Sequence, residues 1–202
     1  MHLTLTELNL YPIKGCRGVA LRSATLAATG LEHEGIGDRE WVIVNEAGRF
    51  LSQRELPRMA LIETRFADGA LRLRAPGMLT LEIPWASEGD VTQAQVWNDT
   101  VPAVTQGAVA DAWCSDYLGQ PARLLRFDPQ AQRLANTKYT GAFEAPYKFA
   151  DAFALLITNT ASLAELNSRL TAPVAMNRFR ANLVLDGLEA FDEDHVRELR
   201  IG

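Results

Sequence analysis

The run Asn177-Arg178-Phe179-Arg180-Ala181-Asn182 sets two guanidinium groups and two carboxamides directly against the apolar run Leu183-Val184-Leu185. Arginine suits phosphate or another oxyanion, because its planar fork donates parallel hydrogen bonds and its charge persists at neutral pH. A strand end would hold that fork rigidly. The plain alternative is a strand whose polar entrance is solvated, as most arginines are. A second cluster, Tyr11-Pro12-Ile13-Lys14-Gly15-Cys16-Arg17-Gly18, places cations on both sides of Gly15. It lacks the Walker spacing and no helical pattern follows it, so its local residues favour a strand-ending turn with solvated cations over a phosphate loop. Arg39 precedes Trp41-Val42-Ile43-Val44 much as Arg180 precedes Leu183. That repetition suggests several strand ends converging on one anion. Ser162 and Glu165 have capping-box spacing, which predicts Ser162 as a helix cap with Glu165 reaching back to it. The N-terminus of that helix would offer unpaired amides and partial positive charge to an anion, or serve only as a structural cap.

The elements that must position these residues are mostly strands. Leu3, Leu5, Leu8 and Leu10 alternate with one break in period, which predicts an opening strand. Ala20 to Leu31 reads as strand and turn, and Asn45 to Gly48 connects Trp41-Val44 to Arg49-Phe50-Leu51 as a hairpin. Leu61 to Phe66 and Leu71 to Arg74 form a hairpin around Asp68-Gly69, followed by strands over Met78 to Ile83, Gln95 to Trp97 and Val101 to Val104. This spacing predicts a small β-barrel or sandwich over the first half of the chain. Val109, Ala112, Trp113 and Tyr117 then recur at helical spacing up to Gly119, with Trp113 as core. Leu124 to Phe127 is a strand. The polar stretch Asp128 to Lys148 is a long loop, either ordinary or one in which Arg133, Lys138, Tyr139 and Lys148 cover a ligand. A helix carries Leu163, Leu166 and Leu170 on one face. Glu189 to Asp194 is a solvated acidic turn, and Leu199 and Ile201 alternate as a strand begins.

Composition excludes several function classes. The chain has 202 residues, 48% of them hydrophobic and 22% charged, as in an ordinary globular protein. A net charge of -5 argues against general nucleic-acid binding, which requires a basic surface. Two cysteines, Cys16 and Cys114, are too few for a disulfide framework or a cysteine zinc site and read as reduced thiols. No run approaches the roughly 18 apolar residues of a membrane span, and the first ten residues lack the flank and apolar core of a signal peptide. The expected compartment is the cytoplasm, with neither membrane nor nucleic acid as a partner.

In order along the chain, Tyr11 to Gly18, Asp38-Arg39-Glu40-Trp41, Phe50-Leu51-Ser52-Gln53-Arg54, Ala161 to Asn167, Phe179 to Val184, and Glu193-Asp194 before Leu199 to Gly202 resemble the MOSC family. The resemblance is to its version with an N-terminal β-barrel domain, which includes the mitochondrial amidoxime-reducing components and their bacterial relatives. It implies a mainly β protein with a few helices (α+β), with a β-barrel domain over residues 1–120 and an incomplete MOSC-type barrel over 121–202. It also implies the molybdenum cofactor, a pterin phosphate, as ligand. Carried over by position, Lys14 and Arg39 would contact it from the first domain. Asn159 and Ser162 would do so from a strand-to-helix turn, and Arg180 and Asn182 from the Arg-rich run.

The family commonly has Ser where this chain has Gly15 and Pro where it has Ala181. Its molybdenum-ligating cysteine lies beyond Gly202, and neither Cys16 nor Cys114 matches it. The expectation is therefore a piece of a longer protein that carries placement residues only, with the cofactor expected to be absent from the piece itself. The complete protein would reduce small N-hydroxylated substrates with electrons from a flavin or iron–sulfur partner or domain. The alternatives are a sulfur-carrying or cofactor-binding module related to molybdenum cofactor sulfurase, with pyridoxal phosphate binding as a family-level option, and a non-catalytic barrel that serves as an interaction module.

Overall fold

The computed structural model describes residues 3–86 and 89–200. The chain is mainly β with a few helices, as the spacing of its apolar runs predicts. It divides into two compact units: a smaller one of residues 1–9, 20–24 and 155–202, and a larger one of residues 10–19 and 25–154. Among the described residues no helix is long and apolar enough to cross a membrane.

The larger unit contains a four-stranded antiparallel sheet in the order Val91–Val96, Asp99–Thr105, Arg123–Phe127, Trp41–Val44. Two three-stranded sheets accompany it. One runs Thr25–Ala27, Gly30–His33, Ile36–Gly37, and the other Glu63–Ala67, Ala70–Arg74, Leu81–Pro84. Gly69, with φ of 73°, makes the tight turn that Asp68-Gly69 predicts, because a residue without Cβ enters that region at no steric cost. Helix α1, Ala108–Leu118, stops at Gly119 in the left-handed conformation. Its Trp113 is buried and donates Nε1–H to Leu79 O at 2.7 Å. The core joins Ile13, Trp41, Ile43, Met59, Tyr117 and Leu124, all buried side chains drawn from distant parts of the sequence. Instead of strand at Leu61, the chain makes a 3-10 turn over Pro57–Leu61, initiated by its proline. The long polar loop holds one short helical turn, α2, Thr137–Thr140, capped by Asn136.

In the smaller unit, Leu183–Asp186 pairs antiparallel with Thr4–Leu10 and parallel with Ile157–Asn159. The register shifts between Leu5 and Glu7, which accounts for the break in the leucine period. Helix α3, Thr160–Ser168, follows Ile157–Asn159 directly. It ends before Leu170, which is exposed beyond it. Leu199 lies outside regular structure, and Ile201, the second residue of the strand expected there, lies outside the described residues.

Candidate functional site

Lys14 and Arg39 belong to the larger unit; Asn159, Ser162, Arg180 and Asn182 belong to the smaller. Pro12 cannot donate, but its carbonyl accepts Trp41 N–H at 2.9 Å, and Lys14 N–H returns to Trp41 O at 2.8 Å. Arg39 N–H reaches Tyr11 O at 2.7 Å. These bonds strap the 11–14 loop along the mouth of Trp41–Val44 and bring both predicted cations to one edge. The Lys14 side chain is buried, at 6% exposure, and Nζ donates to Phe149 O and Asp151 Oδ1, each at 2.8 Å. Burial lowers its pKa from 10.5 to about 8, opposed by Asp151 and reinforced by the charges of Arg133 and Arg39. Partial loss of water beside Lys14 would raise the pKa of the Asp151 carboxyl, but the Lys14 ammonium and the Trp97 indole N–H, at 2.9 Å, outweigh it and hold the pKa low.

Arg39 occupies the left-handed region at φ 47°, unusual for a residue with a Cβ. Its guanidinium lies 4.4 Å from the centre of the Tyr11 ring and pairs with Asp38, whose other carboxylate oxygen accepts Tyr11 N–H at 2.8 Å. Two residues of the long loop that were candidates to cover a ligand are internal ties. Arg133 is buried, with Nε and Nη2 on Asp99 Oδ2 at 2.9 and 2.7 Å and Nη1 on Lys148 O and Ala150 O. Lys148 Nζ donates to the buried Glu40 at 2.6 Å, where Arg126 also binds. Lys138 and Tyr139 are exposed.

The smaller unit uses mostly neutral donors. Asn159 is fully buried and is the N-cap of α3: Oδ1 accepts Ala161 N–H at 3.3 Å, and Nδ2 donates to Glu189 O at 2.7 Å. The capping-box assignment to Ser162 is therefore corrected. Asn caps as well as Ser, so the helix begins three residues earlier, and Glu165 pairs with Arg169 one turn on. Ser162 instead donates Oγ–H to Glu193 Oε2 at 2.7 Å and accepts Phe191 N–H at 2.8 Å. The acidic run is thus docked through Glu193 on the first turn of the helix rather than wholly solvated.

Asn182 is buried and joins two segments, accepting Leu156 N–H at 3.1 Å and donating to Asn9 O at 3.2 Å. Arg180 precedes it in the left-handed region at φ 58°, following the 3-10 turn Met176–Arg178. Both predicted arginines thus sit in the same rare backbone conformation just ahead of a strand. Residue spacing alone does not reveal it.

Among the described residues no group of three or more His, Cys, Asp or Glu side chains is placed to hold a metal ion. Cys16 and Cys114 are buried without a disulfide, and burial pushes the Cys114 thiol pKa far up.

The chain matches the family model of the MOSC N-terminal beta barrel domain over residues 2–121 and that of the MOSC domain over residues 144–202. It belongs to the MOSC family in the form that carries this N-terminal barrel. Among its relatives, mitochondrial amidoxime reducing component 2 of Bos taurus is 34% identical over 98% of this chain and 61% of its own length. Mitochondrial amidoxime-reducing component 1 of Xenopus laevis is 31% identical over 98% of this chain and 60% of its own. The chain therefore spans about 60% of the length of these curated relatives. A solution structure of a Bordetella bronchiseptica protein is 32% identical, covers 54% of this chain and 91% of its own, and superposes with a TM-score of 0.43.

Proposed function

We propose that this chain is the cofactor-placing part of a molybdenum-cofactor oxidoreductase that reduces small N-hydroxylated compounds with electrons from a flavin or iron–sulfur partner or domain. The observation that carries the reading is kinship along 98% of the chain with proteins named amidoxime-reducing components. In this reading residues 1–120 are the barrel domain and the MOSC part starts at 121.

The donor chemistry fits a pterin phosphate. An ammonium, two guanidinium groups, a hydroxyl and carboxamides are the groups that bind a dianionic oxyanion and a heterocycle edge. When bound, the cofactor supplies the redox chemistry, and the protein contributes placement and electrostatics. Lys14 neutralises phosphate charge from a buried position, and Arg39 adds a second cation whose direction is fixed by stacking on Tyr11. Arg180 donates from a strained turn that Asn182 holds against neighbouring backbone. Asn159 and Ser162 order the first turn of α3. The test is to purify the complete protein from cells that make the cofactor and to measure molybdenum and pterin. Near-stoichiometric content of both is expected; absence of both, with a relative loaded in the same cells, contradicts the reading.

A further inference from the structure

We propose that Asp151 is a built-in stand-in for the ligand's anion: it neutralises Lys14 in the unloaded protein and is displaced when a phosphate group binds. The proposal rests on the reading of Lys14 as a phosphate-binding residue. The two side chains of the pair differ sharply in environment. That of Lys14 is 7% exposed, whereas that of Asp151 is 74% exposed. Asp151 also lines a cavity of about 410 Å³ shared with Trp97, Asp99, Arg133, Tyr139 and Tyr147. One partner is thus locked into the fold and the other stands at an open boundary with room to move.

A buried ammonium without a counter-charge is strongly destabilising, so an unloaded protein needs an anion there. A carboxylate supplies negative charge, as a phosphate would, and it accepts the same hydrogen bond from Nζ. Phe149 O remains as the second acceptor throughout and keeps Nζ in place during the exchange. Leaving Lys14 costs Asp151 its Lys14 and Trp97 hydrogen bonds, but an exposed carboxylate regains water, which makes it the displaceable partner. Asp99, by contrast, takes two hydrogen bonds from the buried Arg133, whose Nη1 is fixed on two carbonyls. That pair is a tie within the fold rather than a placeholder.

If Asp151 competes with the ligand, removing its charge strengthens anion binding; if it merely orients Lys14, removal weakens it. The test uses sulfate as probe at pH 6.5, where Lys14 is charged. Affinity is read by calorimetry, and the environment of Trp97 by its indole N–H resonance, assigned with Trp97→Phe. In the wild type, sulfate is expected to move the Trp97 resonance toward its position in Asp151→Asn. Asp151→Asn is expected to bind sulfate about tenfold tighter, in keeping with loss of one charge-assisted contact. Lys14→Met in either background should abolish this binding, with thermal melting confirming that each variant is folded. Equal or weaker binding by Asp151→Asn, with the signal still lost in Lys14→Met, overturns the stand-in role and leaves the anion site intact. Binding that is indifferent to Lys14→Met in both backgrounds overturns the anion site and the stand-in role together.

Discussion

The two units satisfy their candidate ligand-binding groups in the same manner but at different electrostatic stakes. In the larger unit a full charge is buried, and a carboxylate 137 positions away in sequence answers it. In the smaller unit a neutral hydroxyl at the start of α3 meets the carboxylate of Glu193, 31 positions away. A buried ammonium is sensitive to pH and to loss of its partner carboxylate, because that loss leaves an uncompensated buried charge. A hydroxyl–carboxylate bond at a helix N-terminus is weaker, and water can replace it with less penalty. The comparison implies that Lys14 carries a pH response of its own, while Asn159, Ser162 and Asn182 govern local order.

The largest effect should come from the charge. With a pKa of about 8 in the folded chain and 10.5 as its ordinary value, Lys14 loses its proton earlier when folded than when unfolded. Below about 8 both states hold that proton and the cost of burying the charge is fully present. Between the two values the unfolded chain binds more protons, so stability rises with pH. Relative to Lys14→Met, the wild type should therefore gain on the order of 3 kcal/mol between pH 7 and pH 10.5. Urea melts of both proteins across that range measure it, and parallel profiles would show that Lys14 is not electrostatically strained.

The next effect concerns a neutral group. Asn182→Ala removes the partners of Leu156 N–H and Asn9 O within the smaller unit and should cost about 2 kcal/mol, independent of pH near neutrality. A loss below about 0.5 kcal/mol in denaturant melts would show that Asn182 does not pin these segments. The smallest effect distinguishes two roles for one residue. Glu165→Ala breaks an exposed pair with Arg169 and should change stability by only about 0.3–0.5 kcal/mol. A loss of about 1 kcal/mol or more would restore Glu165 to the helix cap.

Much of the fold was legible because its signals are local. The leucine alternation of the first strand, the Asp68-Gly69 turn and α1 with its glycine stop all depend on residues within a few positions of one another. The irregular leucine spacing even carried the register shift between Leu5 and Glu7. The N-terminus of α3 was misplaced because two acceptable caps, Asn159 and Ser162, lie three residues apart, and the capping-box spacing favoured the wrong one. The candidate cations were legible by type, but their partners were not. Asp151 for Lys14, Asp99 for Arg133 and Glu40 for Lys148 come together only through long-range topology. The left-handed conformation shared by Arg39 and Arg180 was equally hidden, since arginine usually avoids it. The acidic run looked solvated because nothing in its composition distinguishes a surface turn from one that docks on a hydroxyl.

The central claim, that these residues hold a pterin phosphate, is tested most directly by the pterin and molybdenum content of the complete protein and its Arg180→Ala variant, purified side by side from cofactor-producing cells. The account predicts near-stoichiometric loading of the wild type and roughly a tenfold or greater weakening of retention in the variant, as expected for loss of a charged hydrogen-bond donor. Equal retention by the two proteins would contradict the role assigned to Arg180, and absence of the cofactor from both would contradict the claim itself.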